Sequence, residues 1–154
     1  MITRNLKSYV FNKIFNSQWS YKKIDGAYVS KNITIATDSE GVRSSLYYIH
    51  NGWPTRTLRI GTGSTEPTID DYKLEQTIDV NAKTTSLATS RGFGSSYAII
   101  NAVFLNETDA DWIVTEVGDF LSISTSEAAL LAREVFDPVT VKPGQTFSIS
   151  MKLF

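Results

Sequence analysis

The sequence predicts a mainly β protein, an antiparallel β-sandwich of jelly-roll or Ig-like type with a short N-terminal α-helix. Three observations lead there. Past residue 20 the chain is a series of short runs rich in β-branched and aromatic residues, broken at close intervals by turn residues. The last run alternates Phe147, Ile149, Met151 and Leu153 with Ser148, Ser150 and Lys152, the pattern of a strand with one face in a core. Strands and helical segments do not alternate regularly, which argues against a nucleotide-binding α/β fold. A length of 154 residues suits one domain able to bury most of its unfolded surface. The expected organisation is an N-terminal helical docking segment, residues 1–20, and a β-sandwich domain, residues 21–154.

Residues 3–16 carry the helical period. Leu6, Val10, Phe11, Ile14 and Phe15 recur every three or four positions as one apolar stripe, Thr3 can cap the first turn, and Asn16-Ser17 favours termination. Arg4, Lys7, Asn12 and Lys13 lie largely away from the stripe. Residues 28–36 and 45–50 read as the first strands, stopped by the turn signal Asn51-Gly52 and by Trp53-Pro54. Residues 55–60 place Thr55, Thr57 and Arg59 on one face and Arg56, Leu58 and Ile60 on the other. A loop over 61–67 follows, then weaker strands over 77–81 and 83–89 and a flexible connection over 90–96. Residues 97–105 are apolar on both faces, as in a central strand. A polar turn over 106–111 leads to a strand over 112–117.

Residues 124–134 pull two ways. Their composition and a Ser124…Glu127 capping box favour a helix, whereas Asp137-Pro138 soon after and the many-stranded surroundings favour a strand. The reading adopted is a loop to residue 128 and a strand over 130–136. Pro143-Gly144 then supplies the turn before the final strand.

Composition narrows the function. With no cysteine and one histidine, His50, the chain has no thiolate nucleophile or disulfide and one candidate imidazole base. The net charge of −1 hides an asymmetry. Residues 1–31 hold six basic side chains (Arg4, Lys7, Lys13, Lys22, Lys23, Lys31) against Asp25, and the remainder holds nine basic against fifteen acidic. The simplest account is a solvated helix face; a docking contact with an acidic partner is the functional one. Six spread charges without clustered arginines argue against direct nucleic-acid binding. No apolar run is long enough to span a membrane as a helix, and the first residues lack the features of a signal peptide.

Each candidate site has a plainer reading that outweighs it. Gly61-Thr62-Gly63-Ser64-Thr65 is half of a phosphate-cradling loop, but Glu66-Pro67 follows where a lysine and a helix are needed. Asp70-Asp71 and the acidic run 106–111 could meet a cation, yet the latter lacks the glycine and terminal glutamate of a calcium loop. Asp70 could instead cap a short turn. His50 precedes Asn-Gly with no nucleophile elbow in the chain, so a small hydrolase is the weakest reading. Trp19, Trp53 and Trp112 could form a sugar-stacking platform, although core or interface use is commoner.

At residues 58–75, L-R-I-G-T-G-S-T-E-P-T-I-D-D-Y-K-L-E, the sequence resembles tailed-bacteriophage structural proteins with the pattern iGtG-t-x-P-t-x-D-x-x-L. Residues 113–120 resemble their itEvGlf stretch, residues 130–139 their llaR-x-v-f-x-p-v stretch, and residues 141–147 the v-x-p-G lead-in to a last strand. The resemblance spans residues 55–154, and residues 1–15 resemble the family's short N-terminal helix. Gly61, Gly63, Pro67, Asp70, Leu74, Glu116, Gly118 and Arg133 are the structural positions it implies; Asp119 departs from the pattern, which usually has an apolar residue there. Glu116 is expected to be a buried or edge carboxylate satisfied by backbone donors or by Arg133.

The resemblance implies a non-enzymatic virion protein of the tail, collar, fibre or capsid, without cofactors, catalytic residues or a metal. Its expected partners are other virion proteins (capsid, portal or neck, tail) and further copies of itself, with no small-molecule substrate and no membrane. Folding in the host cytoplasm before assembly suits the absence of cysteine. Arg4, Lys7, Val10, Phe11, Lys13 and Ile14 are the expected docking residues, and deletion of residues 1–20 is expected to leave a folded domain. The alternative is a carbohydrate- or receptor-binding β-sandwich module using Trp53 or Trp112.

Overall fold

The computed structural model describes residues 1–5, 18–32, 55–92, 95–124 and 127–153. Alternating apolar and polar side chains produce eight strands among them: β1 (Gln18–Lys22), β2 (Tyr28–Asn32), β3 (Thr55–Gly61), β4 (Thr84–Gly92), β5 (Ser95–Leu105), β6 (Trp112–Ser124), β7 (Glu127–Val141) and β8 (Thr146–Leu153). They form three antiparallel sheets, ordered β1-β2, β3-β6-β7 and β4-β5-β8. The protein is mainly β. The strand expected over 45–50, the turn at 51–54 and His50 lie outside the described residues.

β5 is the centre of its sheet, as its composition predicts. Ile100, Ala102 and Phe104 are buried, but on the opposite face Ile99, Asn101 and Val103 are only half-buried. There Asn101 ties the three strands together, donating to Ser86 Oγ (3.3 Å) and accepting from Ser150 Oγ (2.6 Å). β8 keeps its alternation, with Phe147 and Met151 inward and Ser148, Ser150 and Lys152 outward. Gly144, at φ 77°, makes the turn before it, a conformation that favours glycine.

The β3-β6-β7 sheet is buried on both faces. On one, Leu58, Ile60, Val117, Leu121 and Ala129 join Ile100, Phe104, Met151 and Tyr21 in the main core. On the other, Phe120 and Leu130 lie beneath Leu74, which comes from the 61–78 connection and forms a second cluster with them. Burying each such side chain contributes about 1.5–3 kcal/mol, so the connection is part of the packed structure. The strand expected over 77–81 is reduced to one bridge between Gly61 and Thr77, because residue 78 turns its N–H to Ile60 O (2.9 Å) and then leaves the sheet. The connection over 90–96 is instead hairpin, with Ser90, Arg91 and Gly92 paired to Tyr97, Ser96 and Ser95.

β7 corrects the reading of residues 124–138 most sharply. It starts at Glu127 and runs through Asp137-Pro138 to Val141. Pro138 is tolerated because β7 lies at a sheet edge and the register against β6 shifts between Val139 and Val135, where a missing N–H costs no ladder bond. A second shift follows: Gly118 and Asp119 face Arg133 and Ala132, but Phe120 faces Leu130. Leu131 is therefore an extra residue. Strict alternation would put Leu130 and Arg133 on opposite faces and Leu131 with Arg133; the bulge puts Leu130 and Arg133 on one face and sends Leu131 into the main core.

The expected N-terminal helix over 3–16 falls largely outside the described residues, as do Lys7, Val10, Phe11, Lys13 and Ile14. The described beginning is bound to the β domain. Ile2 bridges to Ala132, Thr3 N–H donates to Leu131 O (2.8 Å), and Arg133 N–H donates to Met1 O (2.9 Å). The Met1 amino group donates to the Arg133 carbonyl. The buried Thr3 hydroxyl lies 2.6 Å from Leu130 O and 2.9 Å from Leu131 O, and the turn it was expected to cap runs beyond residue 5, outside the described residues. Asn5 reads both backbone groups of Lys22 at 3.0 Å each. The boundary drawn at residue 20 falls inside β1, and deleting residues 1–20 would strip β7 and β1 of these bonds.

Candidate functional site

The family-like residues meet on the second buried face of the β3-β6-β7 sheet, under the 61–78 connection. Glu116 comes from β6 and is fully buried. Its Oε1 accepts Gly63 N–H (3.1 Å) and Gln76 N–H (2.9 Å); its Oε2 accepts Glu75 N–H (3.1 Å) and Arg133 Nε (2.8 Å). A carboxylate offers about four lone-pair sites, and here each has a donor. Both alternatives expected for Glu116 hold together: it takes backbone donors and Arg133.

Arg133 reaches that place because of the bulge at Leu131. It is 3% exposed and spreads its guanidinium over three carboxylates: Nε to Glu116, Nη1 to Asp71 Oδ2 (2.9 Å) and Nη2 3.5 Å from Glu75 Oε2. Nη2 makes no hydrogen bond. Glu75 Oε2 also accepts Ser64 N–H and Thr65 N–H at 3.0 Å each, and Asp71 accepts Thr68 N–H (3.0 Å) and Thr68 Oγ1 (2.8 Å). Thr115 completes the knot by donating to Gly63 O (2.7 Å).

The glycines are demanded by this closeness. A Cβ on Gly61 would stand 2.5 Å from the Gln76 carbonyl, and one on Gly63 would stand 2.5 Å from Glu75 Cβ and 2.7 Å from the Glu116 carboxylate. Gly118 serves the apolar side, where a Cβ would meet Phe120, Leu130 and Leu74 at 2.7–2.8 Å. Gly61, Gly63, Leu74, Glu116, Gly118 and Arg133 thus belong to one construction. Pro67 is half-buried in the loop, and Asp70 stands apart: it is exposed and pairs with Arg4 at 2.7 Å, both side chains about 70% exposed. The inward partner is its neighbour Asp71, weighed from the sequence only as half of a possible cation pair with Asp70, while Glu75 was not singled out. One signal was available, since three acids within six residues need a cation and Arg133 was already singled out.

Electrostatics follow the geometry. Burial is the largest influence on Asp71 and raises its carboxyl, but Thr68 and Arg133 together hold it below the ordinary carboxylate range. The backbone and side chain of Thr65, then Ser64 and Arg133, lower Glu75 despite opposing desolvation. Burial works against the charge on Arg133, yet Asp71 and Glu116 leave it even more firmly protonated.

The Gly-Thr-Gly-Ser-Thr segment does gather N–H groups around anions, as a phosphate cradle would. The anions are the chain's own Glu116 and Glu75 carboxylates. Among the described residues no group of three or more acids or histidines is arranged to hold a metal ion; the three acids that converge do so on a guanidinium. In the 106–111 turn, buried Asn106 donates to Ala110 O (2.9 Å) and Val141 O (2.8 Å) and accepts Thr108 N–H (3.0 Å), closing the turn on itself. Trp112 is buried in the main core, which removes it from a sugar-stacking surface; Trp53 lies outside the described residues.

Asp119, the departure from the family-like pattern, faces the main core. Arg56 binds its carboxylate through Nε (3.1 Å) and Nη2, both residues being buried. Burial pushes the Asp119 carboxyl up, and the Arg56 charge opposes it. Compared with protein-family models, curated proteins and solved structures, the chain matches none.

Proposed function

We propose that the chain is a non-enzymatic structural component of a tailed-bacteriophage particle, acting through protein–protein contacts with other virion proteins and with further copies of itself. The reading takes the two three-stranded sheets as the halves of a β-sandwich, jelly-roll or Ig-like. One observation carries it: the separate segments that carry the resemblance, 58–75, 113–120 and 130–139, meet at a single buried clasp built from their shared residues. Residues that pattern together because they hold a scaffold together belong to an architectural motif. Glu116, fully buried, has a donor on every lone-pair site, so its charge is committed to the fold rather than to a substrate.

The location in this reading is the virion, after folding in the host cytoplasm. The test is mass spectrometry of gradient-purified particles from a lysate in which the chain is made, followed by crosslinking of the intact particle. The expected result is the chain at fixed copy number, crosslinked to capsid, neck or tail proteins or to itself. Its absence from washed particles would overturn the reading.

A further inference from the structure

We infer that the exposed face of the β1–β2 hairpin, built on Tyr28, Lys22, Tyr72 and Lys73, binds a saccharide that carries a carboxylate. In the β1–β2 register Lys22 stands opposite Tyr28 and Ser20 opposite Ser30, so these four share one face, while Tyr21 on the other face is buried in the main core. Tyr28 is 79% exposed. It is not an isolated surface aromatic. The Lys22 ammonium lies 5.7 Å from the Tyr28 ring centre and 3.9 Å from that of Tyr72, and Lys73 lies 6.0 Å from the Tyr72 ring.

The face is held in place. The Asn5 amide clamps the backbone of Lys22, and the hairpin turn at Gly26 packs over Tyr72, a Cβ there falling 3.8 Å from the ring. Little ordering is therefore left for a ligand to impose.

The chemistry of the face selects the ligand. An open tyrosine ring offers an apolar platform to the flat face of a pyranose. The Ser20 and Ser30 hydroxyls, 2.7 Å apart and exposed, form the next pair on this face, two rungs from Tyr28, and extend its polar rim. Lys22 and Lys73 have no carboxylate partner among the described residues, whereas Lys23 is already held by Asp25 at 2.9 Å. Two ammonium groups that lie against aromatic rings but carry no carboxylate among the described residues call for an anion on the stacked ligand. A single carboxylate suits them better than a polyphosphate chain, because Asp25 and Asp70 flank the region and the whole chain is net negative at −1.

The experiment is a binding array of uronate- and sialate-terminated oligosaccharides beside their neutral parents and oligothymidylate. It is probed with the wild-type chain and with Tyr28→Ala, Tyr28→Phe and Lys22→Gln. Acidic oligosaccharides should bind in preference to neutral ones. Tyr28→Ala should weaken them about tenfold while Tyr28→Phe leaves them unchanged, and Lys22→Gln should erase the preference for the acid. Thermal unfolding should be the same for Tyr28→Ala and wild type, since the ring is exposed. Failure of the array to capture the chain, equal binding of neutral and acidic sugars, binding indifferent to Tyr28→Ala, or stronger binding of oligothymidylate would each overturn the inference. None of these results depends on whether the chain is found in particles.

Discussion

Glu116 and Asp119 stand three residues apart on β6, both fully buried and both paired with an arginine, yet they are built differently. Glu116 points under the 61–78 connection and is met by three backbone N–H groups besides Arg133. Asp119 points into the main core, where Arg56 is its partner among the described residues. The contrast shows that burial does not decide what happens to an acid. The number of donors that arrive with it does. The first arrangement fastens a connection to a sheet; the second places two charges in an apolar layer where similar apolar side chains would also fit.

Breaking the clasp should have the largest effect. Arg133→Met leaves Glu116, Asp71 and Glu75 facing one another without their cation, and stability measured by urea unfolding should fall by about 3–5 kcal/mol. A loss below that of an exposed charge would mean that the guanidinium does not hold the connection.

Asp119 sharpens the comparison. Arg56→Met alone strands a buried carboxylate and should also cost about 3–5 kcal/mol, but Arg56→Met with Asp119→Leu should be neutral or even stabilising by about 1–4 kcal/mol. The matching double change at Arg133 and Glu116 should not recover, because Gly63, Glu75 and Gln76 would lose their acceptor. Recovery at both sites would erase the distinction.

Gly63→Ala is a milder break. Its Cβ would stand 2.5 Å from Glu75 Cβ and 2.7 Å from the Glu116 carboxylate, so the connection must shift to admit it, and the expected cost is about 1–3 kcal/mol. The measurement is the same unfolding midpoint, read together with proteolysis of the 61–78 connection.

The smallest effects are in pH. Asp71 and Glu75 are held below their ordinary range, so their contribution is present above it and is lost as pH falls through the lowered values. Asp119 is raised, so it has the opposite sign: its ionisation costs stability as pH climbs from the ordinary range to the raised value. Unfolding measured from neutral to strongly acidic pH should show less acid loss for Glu75→Gln than for wild type. Asp119→Asn should remove the opposing contribution. If Glu75→Gln leaves the acid limb unchanged, the Ser64 and Thr65 bonds do not fasten the connection.

Much of this was legible in the residues. Strict alternation marks β8 and the faces of β3, an apolar run marks β5 as central, and Pro143-Gly144 marks the last turn, because each depends on neighbours in the chain and on backbone preferences. Gly61, Gly63, Glu116 and Arg133 were also visible as a set. What their spacing does not contain is the face on which each side chain emerges. That depends on the bulge at Leu131, which turns Arg133 towards Glu116, and on the register shift that admits Pro138 to β7; both arise from pairing with β6.

The sequence by itself determined a mainly β chain and the places of its clearest strands and turns; the glycines, acids and arginine of the clasp stood out only through the family-like pattern. Only the tertiary structure decided that Asp71 rather than Asp70 takes Arg133, that the glycine-rich loop cradles the chain's own carboxylates, and that residues 1–3 line the edge of β7. The physical reason is that alternation is a local property of a strand, whereas the facing of two charges depends on how distant strands slip against each other, and one extra residue in a strand reverses every side chain beyond it.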